Sequence, residues 1–183
     1  MPDPQKFKMN TPFLPLQDIR VVDLSTVFSG PLAAAVLADQ GAQVIKVESM
    51  EGDTSRMIGP AKGDLSATFI AANRGKRSLA MDLKQSAAKQ ILLELIGEAD
   101  VLINNFRPGV MERLGLSDAV LQQTNPRLIR LSITGFGSQG DAAQEKVYDA
   151  VIQAVAGVAA TQRNPLNGQP TVLATALCDK LTA

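Results

Sequence analysis

The chain has 183 residues, of which 18 are Lys or Arg, 18 are Asp or Glu, one is Cys and none is His. This length suits one domain with a hydrophobic core. Because the positive and negative charges are balanced and scattered, the chain lacks a basic surface for nucleic acid or anionic membranes. A single cysteine without histidine excludes disulfide scaffolds, most zinc sites and any Ser-His-Asp or Cys-His mechanism within these residues.

The N-terminal residues are predicted to lie outside the folded domain. Residues 1–15 are polar and contain proline, which predicts a flexible extension, and they lack the apolar core of a signal peptide. No apolar run approaches the ~20 residues that span a bilayer. The sequence therefore predicts a cytoplasmic protein without a membrane partner.

The first part of the domain has the pattern of one strand-helix-strand unit. Residues 19–24 form a short apolar run, residues 31–39 have a helical pattern that Gly41 ends, and residues 44–48 are a second strand. The small residues 25–30 can expose backbone N–H groups to a phosphate at the helix N-terminus. An ordinary strand-to-helix turn explains the same pattern equally well.

Further alternating elements follow residues 49–73, a stretch with little periodicity that is predicted to be an ordered surface loop. Strands are predicted at residues 77–83, 100–103 and 127–133. Helices are predicted at residues 86–99, 110–114 and 117–123. This alternation indicates an α/β fold with an open, mostly parallel, Rossmann-like sheet and helices on both of its faces.

The last residues hold the most informative feature of the sequence. A helix of small residues at 150–160 precedes a predicted buried strand at 170–177, after which Cys178 and Asp179 stand where a new helix would begin. Asp179 is predicted to be the N-cap of that helix, whose dipole would keep the carboxylate ionised and able to attack a carbonyl carbon. Cys178 has no histidine to activate it and is predicted to be a core residue.

Three other segments give weaker signals. Residues 135–140 match the pattern G-x-G-x-x-G, but no acidic residue stands about 20 positions later, as nicotinamide dinucleotide binding requires. Glu48 ends the second strand, where Rossmann-like folds often bind a ribose, although a solvated Glu at a strand end is more common. Residues 105–109 combine an amide, an aromatic ring and a guanidinium, and by residue types alone they indicate a loop rather than a site.

Taken together, these segments resemble a known family. The landmarks, in chain order, are residues 16–25 (LQDIRVVDLS), Gly30-Pro31, residues 41–48 (GAQVIKVE), Gly52-Asp53, residues 73–78 (NRGKRS), residues 82–84 (DLK), residues 105–109 (NFRPG) and Gly115-Leu116. From residue 16 to the last residue, the chain resembles the class III coenzyme A transferases, the family of formyl-CoA transferase and carnitine CoA-transferase.

The resemblance implies an acyl-CoA:carboxylate CoA-transferase. In that family an Asp after the strand that follows the small-residue helix becomes acylated, and Asp179 stands at that position. The implied chemistry is attack of Asp179 on an acyl-CoA thioester to give a mixed anhydride, conversion to an aspartyl-CoA thioester, and attack by an acceptor acid. Acyl-CoA and a small carboxylic acid are the implied partners, with no tightly bound cofactor and no metal.

The resemblance also implies which residues contact CoA. The family's contacts with the adenine, the pantetheine, the phosphates and the thioester end carry over to Thr26, Val27, Phe28, Ser29, Asp82, Leu83, Lys84, Asn105, Phe106, Arg113, Lys146 and Tyr148. Ser49 departs from the family pattern, because many transferases have a basic residue there, and this puts one phosphate or adenine contact in doubt.

Two alternatives stay open beside the transferase. The family includes α-methylacyl-CoA racemases, which have a histidine where this chain has Tyr148, and a tyrosine with a pKa of roughly 10 is a poor proton shuttle near neutral pH. A non-catalytic CoA-binding module is the second alternative. The resemblance further implies that residues 16–183 are the N-terminal part of a larger domain in an interlocked homodimer, and that this piece alone is inactive and prone to association.

Overall fold

The computed structural model describes residues 14–183. The strands are β1 (Arg20–Asp23), β2 (Gln43–Glu48), β3 (Ala61–Lys62), β4 (Leu65–Ser66), β5 (Arg77–Ala80), β6 (Val101–Asn104) and β7 (Ile129–Ser132). The α-helices are α1 (Ser29–Asp39), α2 (Ala67–Asn73), α3 (Ser86–Gly97), α4 (Val110–Arg113), α5 (Asp118–Thr124), α6 (Asp149–Val155), α7 (Val158–Thr161) and α8 (Leu177–Thr182).

Five strands form one sheet in the order β5-β2-β1-β6-β7, and every neighbouring pair is parallel. The chain adds strands in one direction from β1 through β2 to β5, and in the other direction through β6 to β7. The strand order therefore reverses between β1 and β6. In doubly wound sheets, ligands bind in the crevice at the carboxyl ends of the strands at this point. The predicted Rossmann-like sheet is confirmed.

Helices cover both faces of the sheet, as predicted. Successive residues of a strand point to opposite faces. Val22 of β1 packs in one core with Leu92 of α3 and Leu121 of α5, whereas Val21 packs in a second core with Ala34 of α1. The two cores hold the carboxyl ends of the central strands in fixed positions, and the turns that follow those strands carry the site.

Residues 49–73 are ordered, as predicted, but they are not a plain loop. They contain a 3₁₀ turn at Thr54–Met57, a two-stranded hairpin of β3 and β4, and helix α2. Ser66 caps α2, because its side chain accepts the N–H of Phe69 at 2.9 Å. The Ser66 hydroxyl also donates to the Ser55 carbonyl at 2.6 Å. This local capping orders a stretch whose sequence lacks clear periodicity.

The predicted buried strand at residues 170–177 is wrong. An isolated bridge joins Arg163 and Pro170, the following residues are mostly exposed, and Leu177 already begins α8. Pro170 has no N–H to donate to a strand ladder. The predicted helix at residues 150–160 is present, but it divides into α6 and α7 at Gly157, which has a φ of 81°.

The predicted flexible extension, residues 1–15, lies outside the described residues except for its last two. There the Leu14 carbonyl accepts the N–H of Gln17 at 3.1 Å. Within residues 14–183, no helix combines the length and the apolar character needed to cross a membrane.

Candidate active site

The turn between β1 and α1 lies where the strand order reverses. The N–H of Thr26 donates to Oδ1 of Asn105 at 2.9 Å, and Nδ2 of Asn105 donates to the Thr26 carbonyl at 2.7 Å. Gly30 permits the tight fold of this turn, because a Cβ there would lie 2.4 Å from Cβ of Ser25. The turn after β1 and the loop after β6 are thus joined by two reciprocal hydrogen bonds.

A buried ion pair lies beneath this turn. Nζ of Lys46 lies 2.9 Å from Oδ2 of Asp53, and both side chains are 1% exposed. Lys46 also donates to the Ser25 carbonyl at 2.8 Å, while the Asp53 carboxylate accepts the N–H of Val27 and of Ser55. Burial raises the pKa of the Asp53 carboxyl, but Lys46 and Ser55 outweigh burial and hold that pKa below its usual value.

A second buried ion pair, between Lys76 and Asp23, connects the end of β1 to α2. Nζ of Lys76 lies 2.8 Å from Oδ2 of Asp23, and neither side chain is more than 1% exposed. Lys76 also donates to the Pro31 carbonyl at 2.7 Å and to Oδ1 of Asn73 at 2.9 Å. Burial lowers the pKa of Lys76 to about 8, although the charge of Asp23 acts in the opposite direction. These contacts fix the N-terminal turn of α1 against the end of β1.

Glu48 binds protein groups rather than presenting a free carboxylate to a ribose, and it is buried rather than solvated. Nε and Nη2 of Arg56 donate to its two oxygens at 3.1 and 2.9 Å, and Oγ of Ser78 donates at 2.8 Å. The Arg56 guanidinium lies over the ring of Phe69, 3.7 Å from its centroid. Burial raises the pKa of Glu48, but Arg56, Ser78 and the N–H of Asp53 together lower it below its usual value.

Asp179 lies in the first turn of α8, where the N-cap residue is Ala176. The prediction that Asp179 is the N-cap is therefore wrong. Asp179 is half-buried, and burial and the negative charge of Asp149 raise the pKa of its carboxyl, while the hydroxyl of Ser29 partly offsets this rise. The helix dipole was predicted to keep this carboxyl ionised, and burial and the charge of Asp149 act in the opposite direction on its pKa.

Asp149 and Gln153, both on α6, hold the segment that carries Asp179. The N–H of Asp179 donates to Oδ1 of Asp149 at 2.9 Å. Gln153 is 1% exposed and bonds Asp149 together with the backbone of residues 173 and 175. The carboxylate of Asp149 thus supplies the cap that Asp179 was predicted to supply.

Cys178 is half-buried rather than part of a core. Burial and the charges of Asp149 and Asp179 raise the pKa of its thiol, which disfavours the thiolate. The prediction that Cys178 is a core residue is wrong.

Two cavities contain most of the residues predicted to contact CoA. The first, about 440 Å³, opens at the carboxyl ends of β1, β2 and β5 and is lined by Thr26, Asp82, Leu83, Lys84 and Phe106. The second, about 300 Å³, lies beyond β6 and β7 and is lined by Thr26, Val27, Ser29, Asn105, Phe106, Lys146 and Tyr148. Thr26 and Phe106 line both cavities, so the two form adjoining parts of one region.

Three predicted residues lie outside these linings. Phe28 is half-buried at the N-cap of α1, and Arg113 is exposed at the end of α4. Asp179 lies on α8, which contacts α1, the helix whose first residue, Ser29, lines the second cavity. The motif at residues 135–140 is followed by a 3₁₀ turn, Asp141–Gln144, rather than by the helix that dinucleotide binding requires.

Sequence reasoning missed the buried charges Lys46, Asp53 and Lys76 and the capping role of Asp149. A signal for one of them was present, because Lys46 interrupts the apolar run of β2, and a charge in a buried strand needs a buried partner. The identity of that partner was not readable, since Asp53 lies seven positions away in a loop.

Comparison with known proteins agrees with the fold. A family model described as CoA-transferase family III matches residues 16–183. Acetyl-CoA:oxalate CoA-transferase of Acetobacter aceti is 43% identical over 158 residues, which cover 86% of this chain and 40% of that protein. Succinate–glutarate CoA-transferase of Agrobacterium fabrum is 42% identical over 176 residues, covering 92% of this chain and 44% of that protein.

Solved structures of similar proteins have the same fold as this chain. A CAIB/BAIF family protein from Brucella suis superimposes with a TM-score of 0.86 at 38% identity, over 92% of this chain and 46% of that one. A variant of Rv3272 from Mycobacterium tuberculosis with one Asp replaced by Ala gives a TM-score of 0.84 at 38% identity, over 93% and 46%. The chain spans less than half the length of these relatives. Because the family model matches residues 16–183, the chain belongs to CoA-transferase family III.

Proposed function

We propose that the protein carrying this chain transfers coenzyme A between carboxylic acids through a covalent intermediate on Asp179. The observation that carries the proposal is the position of Asp179. Its carboxyl is half-buried in the first turn of α8, and α8 contacts α1, the helix that begins at the reversal of strand order. Ligands of doubly wound folds bind at this place.

The reaction divides one transfer into covalent steps that need no ATP. A carboxylate oxygen of Asp179 attacks the thioester carbonyl, forming a mixed anhydride and releasing the CoA thiolate. The thiolate attacks the Asp179 carbonyl, which releases the donor acid as a carboxylate and leaves an aspartyl-CoA thioester. The acceptor carboxylate attacks this thioester to give a second anhydride and thiolate, and the thiolate then takes the acceptor acyl group and frees Asp179.

The two adjoining cavities together would hold an extended ligand, with one end in each cavity. The first cavity, with Asp82, Leu83 and Lys84, would take the nucleotide end of CoA. The second, with Lys146 and Tyr148, would take the pantetheine and the thioester, since its lining includes Ser29, the first residue of α1, and α1 contacts the helix that carries Asp179. Arg113 is exposed and would reach the phosphates from the rim. Ser49, in the lining of the first cavity, leaves one basic contact unfilled.

A racemase is the weaker candidate. It needs two groups that exchange protons near neutral pH, whereas Tyr148 is 76% exposed and the chain contains no histidine. A binding module without chemistry is the other candidate, in which Asp179 would only support α8. Both candidates predict CoA binding without a covalent adduct on Asp179.

We also propose that residues 16–183 are the N-terminal part of a larger CoA-binding domain and that the protein is a homodimer with interlocked chains. The matched relatives are more than twice as long as the matched stretch. Light scattering coupled to size-exclusion chromatography measures the oligomeric state. A monomer under conditions that support transfer would contradict the dimer.

The test is mass spectrometry of the protein after incubation with succinyl-CoA and a panel of other acyl-CoAs. Samples are quenched with and without hydroxylamine, which cleaves anhydrides and thioesters, and the peptide that contains Asp179 is sequenced. We expect a hydroxylamine-sensitive acyl or CoA adduct on Asp179 with at least one donor. That donor also indicates the substrate class.

Asp179→Asn serves as the nucleophile variant, and Asp141→Asn is its matched control because Asp141 is an exposed aspartate outside both cavities. The control is expected to form the adduct and to transfer CoA. Full transfer by Asp179→Asn would overturn the assignment of Asp179. Racemisation of a 2-methylacyl-CoA without an adduct would favour the racemase, and CoA binding without either reaction would favour the binding module.

A further inference from the structure

We infer that Asp53 is a positioning residue of the CoA site, because its carboxylate holds Val27 in a left-handed conformation and so fixes the turn that leads into α1, the helix that contacts α8 and its Asp179. The inference rests on the proposed function. It adds Asp53, which contacts neither Asp179 nor the place proposed for the reacting thioester. Its basis is backbone geometry and a set of buried contacts.

Val27 has an unusual backbone conformation. Its φ is 68°, and within residues 14–183 it is the one residue other than glycine with a positive φ. A β-branched side chain strongly disfavours this region, so the conformation persists only where neighbouring groups impose it. The turn is therefore held in this shape by contacts outside it.

Asp53 and Lys46 supply those contacts at two points. The N–H of Val27 donates to both carboxylate oxygens of Asp53, at 3.1 and 3.3 Å, and Nζ of Lys46 donates to the Ser25 carbonyl at 2.8 Å. The two side chains pair with each other at 2.9 Å and are almost completely buried. Asp53 thus accepts the N–H of Val27, and Lys46 donates to the carbonyl of Ser25, two residues earlier.

Asp53 is itself held in place. Its own N–H donates to Oε2 of Glu48 at 2.9 Å, and its carboxylate accepts the N–H of Ser55 at 2.8 Å. The carboxylate is therefore fixed at the start of the 3₁₀ turn that follows it, and it presents both oxygens to the turn after β1. A fixed acceptor of this kind can impose a conformation on a neighbouring backbone.

The shape of the turn governs the site. Thr26, just before Val27, bonds Asn105 in both directions, and Ser29, two residues after Val27, begins α1, which contacts α8, the helix that carries Asp179. A change of φ at Val27 rotates the chain between these two anchors. Loss of the Asp53 contact would therefore shift Ser29 relative to Asp179 and disturb the lining of both cavities, where small displacements reduce rates steeply.

Removing Asp53 alone would leave the buried charge of Lys46 without a negative partner, and such a variant can fail to fold. The test therefore compares two double variants in the protein carrying this chain, both without the ion pair. Lys46→Met with Asp53→Asn keeps a side-chain carbonyl that accepts the N–H of Val27. Lys46→Met with Asp53→Leu has a similar volume but no acceptor. The measured quantities are kcat and KM for the acyl-CoA, and the melting temperature.

We expect the Leu variant to have a kcat/KM about tenfold to a hundredfold below that of the Asn variant. Adding Val27→Gly to each variant separates positioning from stability, because glycine adopts a positive φ without strain. Val27→Gly is expected to recover most of the difference between the two double variants. Equal kcat/KM in the two double variants, or a difference that Val27→Gly leaves unchanged, would overturn the inference.

The variant Asp179→Asn shows whether a negative result concerns the positioning role of Asp53 or the proposed nucleophile. If Asp179→Asn abolishes transfer while the two double variants have equal kcat/KM, the positioning role alone is wrong. If Asp179→Asn retains transfer, the proposed nucleophile is wrong, and the comparison of the double variants then uses the affinity for CoA measured by calorimetry. A weaker affinity of the Leu variant that Val27→Gly restores would still support the role of Asp53.

Discussion

The backbone N–H of Asp179 donates to Oδ1 of Asp149 at 2.9 Å, so the two aspartates are joined by a hydrogen bond while their carboxylates repel each other. Asp149 stabilises the first turn of α8 by accepting the N–H of Asp179 and, through its charge, raises the pKa of the Asp179 carboxyl. A single side chain thus holds the proposed nucleophile in place and disfavours its ionisation.

This relationship predicts that Asp149→Asn shifts the pH dependence of transfer. The amide oxygen can still accept the N–H of Asp179, but the negative charge is gone, so the pKa of Asp179 falls. Asp179 attacks in its ionised form, and therefore the acidic limb of kcat/KM against pH is expected to move to lower pH. Asp141→Asn, at an exposed site, is the control. A limb that stays in place or moves to higher pH would contradict the role of Asp149.

Asp179 is expected to reduce the stability of the folded protein at neutral pH. Its folded-state pKa lies above the unfolded value, so the folded state binds the proton more tightly, and this contribution to stability disappears as the pH rises through the folded pKa. Asp179→Asn should therefore raise the melting temperature at pH 7, with a smaller difference at acidic pH. Calorimetry at several pH values measures this effect, and a lower melting temperature at pH 7 would refute it.

Gln153 is expected to anchor the segment before α8. Gln153→Leu leaves the backbone of residues 173 and 175 and one oxygen of Asp149 without this partner, which should lower the free energy of unfolding by about 1–3 kcal/mol. Hydrogen exchange of the amides at residues 173–179 should become faster. Gln123→Leu, on the exposed face of α5, is the matched control. Unchanged exchange in this segment would count against the anchoring role.

Glu48 is expected to act through stability rather than through ligand binding. Glu48→Gln weakens the contacts with Arg56 and Ser78 and should lower the free energy of unfolding at neutral pH by about 1–3 kcal/mol. The folded-state pKa of Glu48 lies below the unfolded value, so its stabilising effect is lost as the pH falls through the folded pKa. The difference from the unmodified protein should therefore narrow on acidification.

The KM for acyl-CoA distinguishes the two roles of Glu48. We expect Glu48→Gln to leave this KM nearly unchanged, with Glu94→Gln on the exposed surface of α3 as the control. A clear rise in KM without loss of stability would mean that the carboxylate binds the ligand, as the position at the end of β2 first indicated.

The fold was largely readable from the sequence, because hydrophobic periodicity is a local signal. The apolar runs of β1, β2 and β6 and the helical pattern of α3 all lie close to their predicted positions. The predicted strand at residues 170–177 failed for a physical reason. An apolar run forms a strand only where a partner edge is available, and these residues pack instead against α6 through Gln153.

The sequence was sufficient for the sheet, the family and the expected position of Asp179 after the helix of small residues, since each depends on residues near one another in the chain. Folding was needed to bring together Asp53 with Val27, 26 positions apart, and Asp149 with Asp179, 30 positions apart. Buried charges and pKa shifts depend on such distant neighbours, because burial removes water and leaves only the groups that the fold places alongside. The electrostatics of the site therefore follow from tertiary contacts.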